Sequence, residues 1–462
     1  MERRRLRTDG DRMVDGDGDV IRLRGFGLGG WMTMENFITG HPATESQTRR
    51  AMRRVLGEDA YEAFFETFLA SFFGEDDAEY LAWLGVNCLR VPFSYHHFED
   101  DAAPFELREE GFRHLERVVR LCAGRGIYTV LDLHAAPGYQ NQNWHSDNPT
   151  HWAHFWRHRH FQDRVVHLWE ALAERFADEP MVAGYNLLNE PADPSGEVVG
   201  PFYERLAHAV RAVDPHHTLF LDGNTYATDF TALTDLAELD NVVFTAHDYA
   251  LPGIANPSRY PGQTRGRHFD RGIVEESFLR RTEFMRSTGT PIWVGEFGPL
   301  YTGDARRDGE VLLLLDDQLD IYDAHGVGWS LWTYKDIGTQ GVVHADPDGP
   351  YLSRIRPALE KKRRLGTDSW GGSEEQIRHV LEPIEQLVAT EFPDFDPYPW
   401  GSKQWINLLV RHVLLAEPLV DEFAECFRGA DPVEAAELAA SFEFGTCVRR
   451  EPLEQVLRAR LR

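Results

Sequence analysis

Lysine is almost missing from this chain. Of 462 residues only Lys335, Lys361, Lys362 and Lys403 carry an ammonium group, so nearly all of the 48 basic side chains are arginines. Cysteine is as scarce. Cys88, Cys122, Cys426 and Cys447 form no CxxC pair, which excludes a disulfide-dense scaffold and reads as reduced thiols in a cytoplasm. No apolar run approaches the roughly 20 residues that cross a bilayer. The opening MERRRLRTDGDRMV has arginines but lacks the apolar stretch of a signal peptide, so the expected location is cytoplasmic. Positive patches are lacking too: 75 acidic against 48 basic residues leave a net charge of −27. Nucleic acid and anionic membrane surfaces are thereby excluded as partners, since phosphate binding needs clustered Lys and Arg.

A carboxylate surplus without lysine reads as salt adaptation, because screening at high ionic strength weakens self-repulsion among so many negative charges. Codon bias toward arginine would explain the missing lysines but not the surplus of acids.

What the chain has is core material. Apolar residues make up 42% and aromatics 12%, with 12 Trp, enough to exclude disorder as the main state. A small hairpin is expected at about 14–24, where the Asp15, Asp17, Asp19 spacing reads as a turn rather than a calcium loop. Strand-like segments follow at 21–27, 86–91, 127–133, 182–188, 219–222, 242–246, 292–295 and 328–333. Helical patterns fill the gaps at 46–73, 109–125, 159–178, 199–213, 271–288 and 307–325. Eight strands alternating with helices predict an α/β fold, a (β/α)8 barrel occupying residues 1–350. GFGLGG lacks the GxGxxG spacing of a dinucleotide fold. Residues 351–462 read as the last barrel helix plus a C-terminal helical appendage that can pack on the barrel or mediate self-association as a homo-oligomer.

Barrel enzymes carry their chemistry at the C-terminal ends of the strands. Reading those ends gives Arg90, His134, Asn189 with Glu190, His247 with Tyr249, Glu296 and Trp332. Glu190 and Glu296 sit three strands apart and can face each other across the mouth. Glycosidic bond cleavage needs such a pair: one acid protonates the departing oxygen while the other carboxylate supports the oxocarbenium-like centre. A rim glutamate paired with arginine explains either residue alone, but not the surrounding set.

The stretches LRVPF (89–93), DLH (132–134), NLLNEP (186–191), HDY (247–249), GEFG (295–298) and SLWTY (330–334) together resemble glycoside hydrolase family 5. This is a barrel family of retaining β-glycosidases that includes cellulases, mannanases and exo-glucanases. The resemblance implies Glu190 as acid/base and Glu296 as nucleophile. On physical grounds the acid must keep its proton near neutral pH, so burial and a neighbouring Glu296 are expected to raise Glu190. Arg90 and Tyr249 are expected to donate to Glu296, Asn189 to the sugar 2-hydroxyl, and His134 and His247 to position neighbours or bind hydroxyls. Trp332 offers a flat face to a pyranose.

The loop HAAPGYQNQNWHSDN (134–148) and the segment GLGGWMTMENFITG (27–40) resemble the exo-β-1,3-glucanase branch. By that resemblance Glu35, Gln140, Asn141, Asn143 and Trp144 line a pocket for a non-reducing-end sugar. The expected activity is therefore exo-acting hydrolysis of β-linked oligosaccharides or glycosides, β-glucan type first. An endo-β-1,4-glucanase or mannanase, a transglycosylase and a non-catalytic glycan-binding barrel are the alternatives. No cofactor is expected. His145, His151, His154, His158 and His160 cluster in sequence, but no carboxylate or cysteine completes a metal site among them, so packing or rim roles are expected.

Overall fold

The computed structural model describes residues 5–249, 259–264, 266–367 and 374–461. Eight parallel strands close a barrel: β1 (Arg24–Gly27), β2 (Cys88–Ser94), β3 (Tyr128–Ala135), β4 (Val182–Asn186), β5 (Thr218–Asp222), β6 (Val242–His247), β7 (Ile292–Phe297) and β8 (Gly328–Leu331). They follow one another round the barrel in chain order, and β8 pairs back to β1 with Trp329 opposite Arg24. All eight coincide with the strand-like segments of the sequence. Their residues are buried on both faces, as expected for strands with helices outside and a packed core inside.

The surrounding helices follow their patterns with three differences, the first being a break at Thr282 that divides the helix expected over 271–288 into Arg271–Arg281 and Glu283–Thr288. The single helix expected over 46–73 is split at Gly57, whose φ of 73° lies outside the right-handed helical region. A further helix, Glu75–Leu84, precedes β2. The hairpin also lies earlier than expected. Its strands are Arg7–Asp9 and Arg12–Val14, turning at Gly10 with φ 59°. Within 14–24 only a Val14–Val20 bridge forms, over a turn in which Asp15 accepts from the amides of Asp17 and Asp19. The hairpin that does form seals the barrel's lower end, where Leu6 and Met13 pack with Cys88, Tyr128, Val243 and Trp293 at the strand starts.

The C-terminal segment is bound into the barrel rather than hung from it. Helix Pro350–Leu365 follows β8, and Phe423, Phe427 and Phe442 join Phe64, Phe68 and Phe72 in one aromatic core. Arg460, at the end of helix Glu451–Arg460, pairs with Asp316 and Asp320. A strand not foreseen, Cys447–Arg449, pairs antiparallel with Val343–Ala345.

Two lysines act as buried ties. The Lys335 ammonium meets Asp77 at 2.6 Å and donates to the carbonyls of Phe72 and Phe442. Lys362 donates to the carbonyls of Asn36, Gly40 and His41. Lys361 and Lys403 are solvent-facing by comparison. Helices Arg378–Glu391 and Gly401–Leu408 share a smaller core of Ile377, Leu381 and Ile406.

Candidate active site

Every strand-end residue singled out in the sequence lies at the same end of the barrel. At its floor is Arg90 of β2, wholly buried. Its guanidinium donates to Glu296 Oε1 at 2.5 Å, Asn189 Oδ1 at 2.6 Å and Asn186 Oδ1 at 3.0 Å, and lies 3.1 Å from Asp132 Oδ2. Burial opposes the charge on Arg90, but Asp132, Glu296 and Asp222 outweigh it and hold the guanidinium protonated. Such a fork fixes Glu296 in one orientation. The other Glu296 oxygen accepts from the Tyr249 hydroxyl at 3.1 Å. Burial and the Glu296 carboxylate push that phenol well above its ordinary value, so it stays a donor.

Glu190 follows β4 with a φ of 44°, a conformation that few non-glycine residues adopt. Its backbone is clamped on both sides: the amide donates to Asp222 Oδ2 at 2.9 Å, and the carbonyl accepts from Asn141 Nδ2 at 3.0 Å. Its carboxylate meets His247 Nδ1 at 2.7 Å and His145 Nε2 at 3.1 Å. Burial alone would raise Glu190, yet these two imidazoles outweigh it and hold the carboxyl well below the usual range. The expectation of a raised Glu190 is thus corrected: the sequence did not show that two histidines converge on it. Burial disfavours a charged His247, but Glu296, Asp222 and Glu190 around it raise its proton affinity. Asp222 is itself pushed up to about 6, chiefly by burial.

Glu190, His247 and Glu296 offer ligand atoms within 4.8 Å of one another. The cluster could share a cation, but the Arg90 guanidinium already supplies positive charge at Glu296. His134 donates toward Asp132 at 2.9 Å and lies 3.6 Å from Glu35 Oε1. Burial opposes its charge, while these two carboxylates push it up to about 10. Its ring stacks parallel to Trp332, with centroids 5.3 Å apart. Gly27 and Gly29 lie so close to that indole that a Cβ on either would stand 2.5 Å from a ring carbon. This is why the segment after β1 is glycine-rich.

Two expected sugar-binding residues are placed otherwise. Gln140 gives its amide to the carbonyls of His134 and Asn189 and accepts from the Ala136 amide. Asn141 is occupied with Glu190 and with the Asn143 amide. Both brace the site from behind, because buried loop backbone must find partners and these amides supply them. Glu35, 4% exposed, keeps Oε1 without a hydrogen-bond partner among the described residues, and so does Trp144 Nε1. The histidine cluster does not converge: His145 reaches Glu190, His151 contacts the Gln142 carbonyl, and the His154 and His158 rings stand 6.2 Å apart.

Sequence reasoning missed His145, Asp222, Asp132 and Asn186. Asp132, Asn186 and Asp222 did leave a signal, as polar residues inside otherwise apolar strands. His145 stood among the clustered histidines with a packing or rim role expected, and nothing in the sequence aimed it at Glu190.

Comparison with known proteins agrees with this geometry. The family model described as Cellulase (glycosyl hydrolase family 5) matches residues 65–338. A protein of Phanerodontia chrysosporium named Beta-xylosidase is 46% identical, across 98% of this chain and 97% of its own. A protein of Aspergillus fumigatus named Probable glucan 1,3-beta-glucosidase A is 28% identical over 69% of this chain and 84% of its own. Among solved structures, one described as a glycoside hydrolase shares the fold with a TM-score of 0.53. It is 20% identical and covers 69% of this chain and 90% of that one.

Proposed function

The chain belongs to glycoside hydrolase family 5, and on that premise we propose that it is an exo-acting retaining β-glycosidase that removes the terminal sugar from β-linked oligosaccharides or glycosides. The carrying observation is the disposition of Glu190 and Glu296. An oxygen of one lies within 4.8 Å of an oxygen of the other, matching the separation of about 5–5.5 Å between carboxyl groups in retaining enzymes rather than the wider gap that holds a water in inverting ones.

In the first step a Glu296 oxygen attacks the anomeric carbon while Glu190 gives a proton to the departing glycosidic oxygen. In the second, Glu190 takes a proton from water, which attacks the same carbon and frees Glu296. The Glu190–His247 pair enters the first step with one proton, resting on His247 and passing to Glu190 across the 2.7 Å contact as the leaving oxygen gains charge. Asn189, fixed by Arg90 through its oxygen, has its amide nitrogen 3.5 Å from His134 Nε2 and a second N–H to offer the 2-hydroxyl. Glu35, whose Oε1 lies 3.6 Å from His134 and lacks a hydrogen-bond partner among the described residues, suits a hydroxyl of the terminal sugar.

Burial of the two carboxylates supports exo action: Glu190 is 9% and Glu296 5% exposed. The 46% identical relative named Beta-xylosidase supports a terminal β-xylosyl group ahead of the β-glucosyl group expected from sequence. A panel of 4-nitrophenyl β-glycosides, followed by product profiling on pentasaccharides, tests the reading. Stepwise monosaccharide release is expected, and scattered fragments would overturn exo action.

Cytoplasmic, salt-adapted operation belongs to the same reading and rests on composition; activity and melting temperature that stay flat from low to multimolar KCl would count against the salt adaptation. Self-association through the C-terminal helices is supported by Val380, Ile384 and Leu387, which are exposed on one face of helix Arg378–Glu391, and light scattering checks it.

A further inference from the structure

The matched family region ends at residue 338, yet the chain beyond it returns to the mouth of the barrel. Trp400 lies on the Tyr226 ring with centroids 4.5 Å apart, and the Tyr398 hydroxyl meets Thr225 Oγ1 at 2.9 Å. Farther along, His412 packs on Trp144 at 4.4 Å. Both of the rings so covered, Tyr226 and Trp144, stand edge-on to His145 at 6.0 Å. His145 is in turn 3.1 Å from Glu190 Oε2. The C-terminal segment therefore walls the Glu190 side of the pocket, not the Glu296 side.

Three features make this wall a built surface rather than incidental packing. Thr225, Tyr226 and Ala227 all have positive φ, at 53°, 59° and 56°. Three consecutive non-glycine residues hold that backbone only where surroundings enforce it, and the result sets the Tyr226 ring between Trp400 and the Gln142 amide, which its hydroxyl contacts at 3.1 Å. Trp144 is 9% exposed, yet its Nε1 has no hydrogen-bond partner among the described residues, a donor left over for a ligand oxygen. Trp400 remains 47% exposed although it is stacked on one side. The rings of Trp144, Tyr226 and Trp400 carry no charge, and burial holds His412 well below its ordinary value.

We propose that the C-terminal segment builds the leaving-group subsite, with Trp400 as the platform on which a neutral ring with a flat apolar face stacks. The placement rests on the glycosidase reading above, in which Glu190 protonates the departing oxygen and its side of the pocket holds the departing group. The C–H face of a second pyranose and an aryl aglycone share the required chemistry: each presents a flat apolar face to an indole, and neither carries charge.

Trp400→Ala and Trp400→Phe in the full chain test this with three substrates bearing the same terminal sugar: a disaccharide, an aryl glycoside and a glycosyl fluoride. The fluoride has no ring to place on Trp400. For Trp400→Ala, kcat/KM on the disaccharide, the aryl glycoside or both falls at least tenfold, the fluoride changes less than twofold, and Trp400→Phe regains most of the loss. A fall confined to the disaccharide identifies a pyranose as the occupant, and one confined to the aryl glycoside an aglycone. Equal losses on all three substrates would make Trp400 a structural strut and overturn the proposal, as would no loss on any. Wild-type protein that cleaves none of the three overturns the glycosidase reading, and the subsite with it.

Discussion

His247 Nδ1 stands 2.7 Å from Glu190 Oε1, so the carboxylate proposed as the acid has an imidazole as its closest side-chain partner. His145 and then His247 hold Glu190 low against its burial, while Glu296, Asp222 and Glu190 hold His247 high against its own. An acid catalyst usually depends on a carboxyl of raised pKa; Glu190 instead has an imidazole of raised proton affinity one hydrogen bond away.

Replacing the nucleophile separates the two steps. Glu296→Gly should abolish hydrolysis of an unactivated disaccharide while accepting a glycosyl fluoride of inverted anomeric configuration for transfer. Glu190→Ala should lose about 10²–10⁴-fold on poor leaving groups, much less on activated aryl glycosides, and regain activity with azide. Wild-type turnover of the disaccharide by either variant would refute the assignments.

The alkaline limb of the kcat/KM profile should belong to the Glu190–His247 pair. Its proton leaves from an imidazole raised above its ordinary 6.5, so activity is retained below that point and lost as pH rises past it. In His247→Gln the proton has to reside on the Glu190 carboxyl, which His145 still holds low, and the limb should move acidward by about one pH unit or more. A pH profile on a poor-leaving-group substrate measures this. An unmoved limb would mean that another group supplies the proton.

Gly27 should not tolerate a methyl group. Its Cβ would stand 2.5 and 2.7 Å from two carbons of the buried Trp332 ring, an overpacking cost of about 1–3 kcal/mol. Gly309, inside helix Ala305–Ala324 with open space around it, is the control. There alanine should stabilise by roughly 0.5–1 kcal/mol, since glycine weakens a helix interior. Thermal melts of Gly27→Ala and Gly309→Ala should shift in opposite directions.

The barrel was legible because its strands are apolar on both faces and its helices show the periodicity of one buried side, as in Phe112, Leu115, Val118, Val119 and Cys122 of helix Glu109–Ala123. The polar strand ends were legible because few other causes put His, Asn and Glu next to such strands. Loop side chains were not. Gln140 and Asn141 have the donors a sugar needs, but those donors serve backbone groups that the loop brings within reach only once it is folded. The hairpin was misplaced because Gly10 and Asp11 make as good a turn as the glycines beyond Asp15. Trp400 carried no signal, since its partner Tyr226 lies far back in the chain, in a turn of unusual backbone.

The distribution of the lysines has a chemical consequence. Lys335 and Lys362 lie sealed as ties, while Lys361 and Lys403, on helices Pro350–Leu365 and Gly401–Leu408, face water. An amine-reactive dye or bead would therefore find its lysines only on the C-terminal segment, leaving the rest of the barrel surface without a lysine handle. Immobilised through those two amines, the enzyme would be held by its C-terminal helices.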